Sequence, residues 1–153
     1  MYDALTIADE ILKIAKSKGK ALTPMQVTKL AYIAHGWALA ILKRDLFRNR
    51  IEAWQYGPVI PDIYHATKHY GRNPIPMAMV GDPAASAVDA ETRAFLEDVF
   101  NKYGHLDGIS LSYLTHQSGT PWDQVYKPGV RRIEIPDSLI KQHYDEMLSA
   151  RTS

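Results

Sequence analysis

The chain has 153 residues, with 18 Lys plus Arg against 17 Asp plus Glu, 46% hydrophobic residues and no cysteine. A domain of about 150 residues buries roughly 70% of the surface its unfolded chain exposes, so one full-sized core needs no metal or disulfide support. A formal charge of +1 argues against a duplex binder, whose affinity comes from neutralised phosphates, and the lack of cysteine excludes thiolate catalysis and Cys-ligated metal centres.

Residues 1–10 carry Asp3, Asp9 and Glu10 where a secretory signal needs a basic and then an apolar segment. Asp3 is a good helix N-cap, and the apolar residues from Leu5 to Ala15 recur at helical spacing up to a stop at Gly19. Thr23-Pro24 opens a second helix, expected to run to about Lys43 and apolar around most of its circumference, which belongs at the centre of the core. Its most apolar stretch, 30–42, is interrupted by His35 and Gly36 and falls short of the roughly 20 residues that cross a bilayer, so a cytoplasmic protein is expected.

Residues 50–55 alternate polar and apolar, a strand signal that Gly57-Pro58 is expected to end. A third helix over 60–70 stops at Gly71, residues 72–86 read as loop, and Asp89 caps a fourth helix closing at Tyr103-Gly104. Ser110 is expected to start a shorter helix to about His116, Pro121-Trp122 a further turn, residues 131–135 a second strand and residues 136–150 a terminal helix. The expected fold is mainly α: a single compact helical domain over 1–153 with about six helices and two short β-strands available to pair.

Candidate chemistry is sparse. His65 and His69 are spaced to share a helical face, but the zincin Glu is missing and Lys68 lies between them, so a half-exposed helix face is the better reading and no metal or cofactor is expected. His35, inside the most apolar helix, reads as a hydrogen-bonded core histidine. His116 is the stronger catalytic candidate, although no serine elbow, phosphate-binding glycine loop or carboxylate pair accompanies it. Residues 1–80 hold 11 basic against 6 acidic side chains, and 81–153 hold 7 against 11, a polarity suited to orienting a charged partner.

The run Lys29-Leu30-Ala31-Tyr32-Ile33-Ala34-His35-Gly36-Trp37, then Leu46-Phe47, then the stretch from Ile51-Glu52-Ala53-Trp54-Gln55-Tyr56-Gly57-Pro58 to Tyr64, resembles the SocA-like antitoxin family known as the Panacea domain. Tyr103-Gly104, Leu111-Ser112-Tyr113-Leu114-Thr115-His116 and Pro121-Trp122 continue the resemblance, which spans about residues 5–148. One departure is Arg44-Asp45-Leu46-Phe47, where the family frequently has Arg-Pro-Leu-Phe. The resemblance implies a bacterial or phage antitoxin, encoded beside a toxin and neutralising it by direct protein binding. Family members pair with unrelated toxins, and some act as adaptors that deliver the toxin to a protease.

No appended DNA-binding or toxin domain is expected, nor a catalytic role. The expected toxin surface comprises Trp54, Tyr56, Pro58, Tyr64, His65 and Lys68, with His116 and Trp122 as neighbours; if these residues serve the fold instead, the 72–86 loop is the candidate for choosing the toxin. The alternatives are a proteolytic adaptor, with a protease complex as further partner, and a small hydrolase or transferase using His116. Nucleic-acid and membrane partners are not expected.

Overall fold

A computed structural model describes residues 1–76, 80–82 and 87–152, so residues 77–79 and 83–86 of the expected loop lie outside the described residues. Helix α1 (Ala4–Ser17) begins where the Asp3 carboxylate accepts the Leu5 N–H at 2.8 Å, and it ends at Gly19, whose φ of +73° turns the chain. Helix α2 (Pro24–Trp37) starts in a capping box. Gln26 N–H donates to Thr23 Oγ1, and Thr23 N–H donates to Gln26 Oε1 at 2.9 Å.

Helix α2 is buried on almost every side, as its circumferential apolarity requires, and it continues into a π-helical turn (Ala38–Leu42) that Lys43 ends with a φ of +59°. Two further elements form a hairpin, β1 (Glu52–Trp54) and β2 (Gly57–Val59), antiparallel in the register Glu52 to Val59, Ala53 to Pro58 and Trp54 to Gly57. Then come α3 (Pro61–Thr67) with a 3₁₀ turn (Lys68–Tyr70), α4 (Ala90–Tyr103), α5 (Gly108–Thr115), α6 (Pro121–Val125) and α7 (Asp137–Thr152). Helices α1, α3, α4, α5 and α7 all pack against α2. No helix among the described residues is long and apolar enough to cross a membrane.

The mainly helical expectation holds, with one more helix among the described residues than the six foreseen, because residues read as a turn at Pro121 form α6 under a Thr120 cap. The strand partners differ. Gly57-Pro58 does not end the strand signal but starts the returning strand, since Pro58 sits opposite Ala53, whose own N–H points away to Ile133 O at 2.8 Å. At such a non-hydrogen-bonded position the missing proline N–H costs nothing. Residues 131–135 run along the outer edge of β1 as a single bridge, Glu52 to Glu134, rather than as a strand, with Arg132 at a φ of +57° interrupting the extended run. Helix α5 starts earlier than Ser110, because Asp107 accepts the Ser110 N–H at 2.7 Å.

His35 is a buried, hydrogen-bonded core histidine, as its setting predicts. Its Nδ1 accepts the Leu46 N–H at 3.3 Å, which puts the ring proton on Nε2, and Nε2 donates to Asp137 Oδ1 at 2.9 Å. One imidazole thereby ties α2 to the turn containing Asp45 and to the start of α7. A hydrogen bond with Asp137 pushes the Asp45 carboxyl up to about 6, and the bond from His35 lowers Asp137.

Helix α7 also closes on α2 through Gly36, where a Cβ would fall inside the Tyr144 ring. Gly36→Ala should therefore destabilise by about 3 kcal/mol, lowering the midpoint of thermal unfolding by roughly 6–12 °C. A melting curve unchanged from that of the parent would show that α7 does not seat against Gly36.

Candidate functional site

The hairpin turn Trp54-Gln55-Tyr56-Gly57 is where the expected site residues converge. Strands of three residues joined by a two-residue turn are marginal alone, and side chains from three helices hold this one by its carbonyl oxygens. Lys29 Nζ, from α2, donates to Pro58 O at 2.7 Å and Tyr56 O at 3.3 Å. Ser112 Oγ, from α5, donates to the same Tyr56 oxygen at 2.5 Å, and the Trp122 indole, from α6, donates to Trp54 O at 2.5 Å. Gly57 completes the fit. Its φ of +116° favours glycine, and a Cβ there would lie 3.0 Å from Lys29 Nζ.

Lys29 is only 3% exposed, and burial pushes its amine down to about 7. Sequence reasoning passed over this residue except as part of a motif. The available signal was a single Lys on a helix face otherwise apolar.

Beside the turn lies a groove of about 460 Å³ between α2, the hairpin and α3, lined by Met25, Lys29, Trp54, Tyr56, Tyr64 and Lys68 among others. The Trp54 indole N–H donates to Glu52 Oε1 at 3.0 Å, and its ring meets Tyr64 edge-on at 4.8 Å. Tyr56 is 65% exposed and Tyr64 39%.

Four of the eight expected residues, Trp54, Tyr56, Tyr64 and Lys68, thus line one groove. Pro58 and Trp122 are buried and act behind it, through a carbonyl and an indole N–H. His65 lines a separate depression with Arg50, Asp62 and Arg131, which Trp54 also borders. His116 is half-buried, edge-on to Trp122 at 5.3 Å, with Nδ1 against the Ser112 carbonyl one turn back.

Helix α3 ends at Thr67, so His65 and His69 do not share an α-helical face, and their rings turn to Tyr64 and Tyr70 respectively. His35, Asp45 and Asp137 bring ligand atoms within 4.8 Å of one another. The Leu46 N–H on Nδ1 places the ring proton on Nε2, however, so His35 as hydrogen-bonded here presents no free lone pair to a metal.

A family model described as antitoxin SocA-like, Panacea domain, matches residues 27–123, more than half of the chain and the stretch that contains the hairpin and all three of its donors. A relative, the antitoxin SocA of Caulobacter vibrioides, is 27% identical over 154 residues that cover 93% of this chain and 82% of its own length. No solved structure matches the chain.

The buried amine sets a stability prediction. Between about pH 7 and its ordinary value of 10.5, Lys29 binds a proton in the unfolded chain but not in the folded one, so its contribution to stability rises with pH in that window. In Lys29→Met that rise is absent. Urea unfolding at pH 7, 8 and 9 should show the parent gaining on the variant by up to about 1.4 kcal/mol per pH unit. Parallel pH profiles would show that Lys29 does not titrate there.

Proposed function

The chain belongs to the SocA-like antitoxin, Panacea-domain family, and on that premise we propose that it is an antitoxin that neutralises a cognate protein toxin, encoded by a neighbouring gene, by binding it directly in the cytoplasm. The observation that carries this reading is the aromatic group of half-buried Trp54 and exposed Tyr56, with exposed Tyr64 of α3 beside them, at a hairpin whose backbone is held by Lys29, Ser112 and Trp122. Aromatic side chains on a rigid backbone supply large contact area at low entropic cost, and such residues dominate the energy of protein interfaces. Lys68 and the neighbouring depression with His65 extend the proposed face.

The proposed mode of action is occupation of the partner. It asks for no catalytic group, and His116 spends its Nδ1 on a carbonyl of its own helix and packs its ring on Trp122. Both contacts suit a residue that supports the hairpin from behind.

Co-expression with the protein product of the adjoining gene tests the proposal: restored growth together with a co-purifying complex is expected. Rescue without association would overturn direct neutralisation in favour of a protease adaptor, and loss of rescue in a folded His116→Ala that still binds the toxin would favour a hydrolase or transferase.

Tyr56 separates surface from scaffold, because its structural work is done by the main-chain oxygen while its ring is exposed. Tyr56→Ala should weaken the complex by about tenfold or more and leave the melting midpoint within about 2 °C. Undiminished affinity in this variant would move the interface away from the hairpin.

A further inference from the structure

The groove beside the hairpin has a composition that specifies what fits it. Its walls are largely apolar, from Met25, Trp54, Val59 and Tyr64, and the charged groups lining it are two cations, Lys29 at the floor and Lys68 at the rim. Among the described residues no carboxylate lines it. Among the described residues Lys29 Nζ donates to the Tyr56 and Pro58 carbonyls alone, while an ammonium has three N–H donors, so the charged form holds one donor in reserve. A buried cation without a counter-ion is costly, and a carboxylate brought to it recovers that cost. The volume, about 460 Å³, accommodates a few side chains of a partner segment.

We infer that this groove receives an apolar segment of the toxin bearing one carboxylate, which pairs with Lys29 and Lys68. The inference rests on the toxin-binding reading of the hairpin face and adds the chemistry of the occupant. Charge complementarity selects an acid over a base, because a cation entering the groove would meet two lysines. The apolar walls select a segment with aromatic or aliphatic neighbours over a fully polar acidic tract, which would bring no apolar contact to the groove sides of Trp54 and Tyr64.

The pairing couples binding to a proton. Around Lys29 stand Thr28 on its own helix, the Tyr56 and Pro58 carbonyls of the hairpin, Tyr64, Thr67 and Lys68 of α3 and the turn after it, and Ser112, Thr115 and His116 at the end of α5. None of these is an acid, and burial alone lowers the amine to about 7. A carboxylate in contact favours the ammonium and raises that value. Above pH 7 the free chain therefore holds Lys29 largely neutral, and forming the complex takes up a proton. Affinity falls as pH rises through that range.

Calorimetric titration of the unchanged chain with the protein product of the adjoining gene, at pH 6, 7, 8 and 9 in phosphate and in Tris, reads this directly. Uptake of about one proton per complex at pH 8 is expected, with Kd rising about tenfold per pH unit above about pH 7.5. In Lys29→Met the uptake disappears and the pH 7 complex is weaker by about tenfold or more. Circular dichroism and melting of that variant establish that it is folded, and the pH profile of the unchanged chain carries the test if it is not.

A Kd flat from pH 7 to 9 in the unchanged chain, or proton uptake retained in folded Lys29→Met, overturns the inference and leaves the toxin-binding reading standing. Absence of any complex with the unchanged chain overturns both. Sedimentation that shows a dimer of the chain alone, lost in Lys29→Met, assigns the groove to a second copy and overturns the inference too.

Discussion

The carbonyl oxygens of Trp54, Tyr56 and Pro58 each meet a side-chain donor from the helical body, and the rest of the candidate site is arranged around those bonds. A hairpin with three-residue strands does not persist by its own ladder, and its edges bring polar groups that must be satisfied wherever they approach the core. Lys29, Ser112 and Trp122 satisfy them from α2, α5 and α6. At residue 57 a φ of +116° favours glycine, and a Cβ there would crowd Lys29 Nζ at 3.0 Å. The turn is thereby rigid where it presents its aromatic rings.

This arrangement has a cost that the fold tolerates. Burying an amine with two carbonyls and no carboxylate is less favourable than burying an apolar side chain of similar volume, and the lowered pKa of Lys29 expresses the penalty. A second buried polar anchor, His35, is managed differently. Its two nitrogens are each engaged, one by the Leu46 N–H and one by Asp137, so it closes α7 and the Asp45 turn onto α2 with its hydrogen-bonding capacity spent. Of the two, Lys29 alone lines a groove at the exposed aromatic cluster, and the asymmetry between a satisfied histidine and a reserved lysine separates scaffold from candidate surface.

Legibility followed the range of the interaction. Caps at Asp3, Thr23 and Asp89 and the central position of α2 were readable because N–H orphans and apolar faces are local, set by residues within a turn or two. The Gly57-Pro58 pair misled because both residues usually end structure, and only the register with Ala53 reveals that the absent N–H is not needed. Residues 131–135 read as a second strand, whereas the left-handed Arg132 that limits them to one bridge leaves no mark in the residue pattern. Among the site residues, the aromatic character of Trp54, Tyr56 and Tyr64 was plain, whereas the burial of Pro58 and Trp122 and the turning of His65 toward a separate depression were not.

By itself the sequence determined a cysteine-free, mainly helical domain with an apolar central helix and an aromatic-rich segment after it, and its motifs pointed to the family that residues 27–123 match. Tertiary structure alone decided that Lys29 lies at the floor of a groove, that Ser112 and Trp122 reach the hairpin carbonyls, and which rings remain exposed. The bonds responsible span 29, 56 and 68 positions along the chain. Helical and strand periodicities reach only a few residues, and over longer separations the partner of a polar group is chosen by packing, which fixes where the chain returns and which donor is there to meet it.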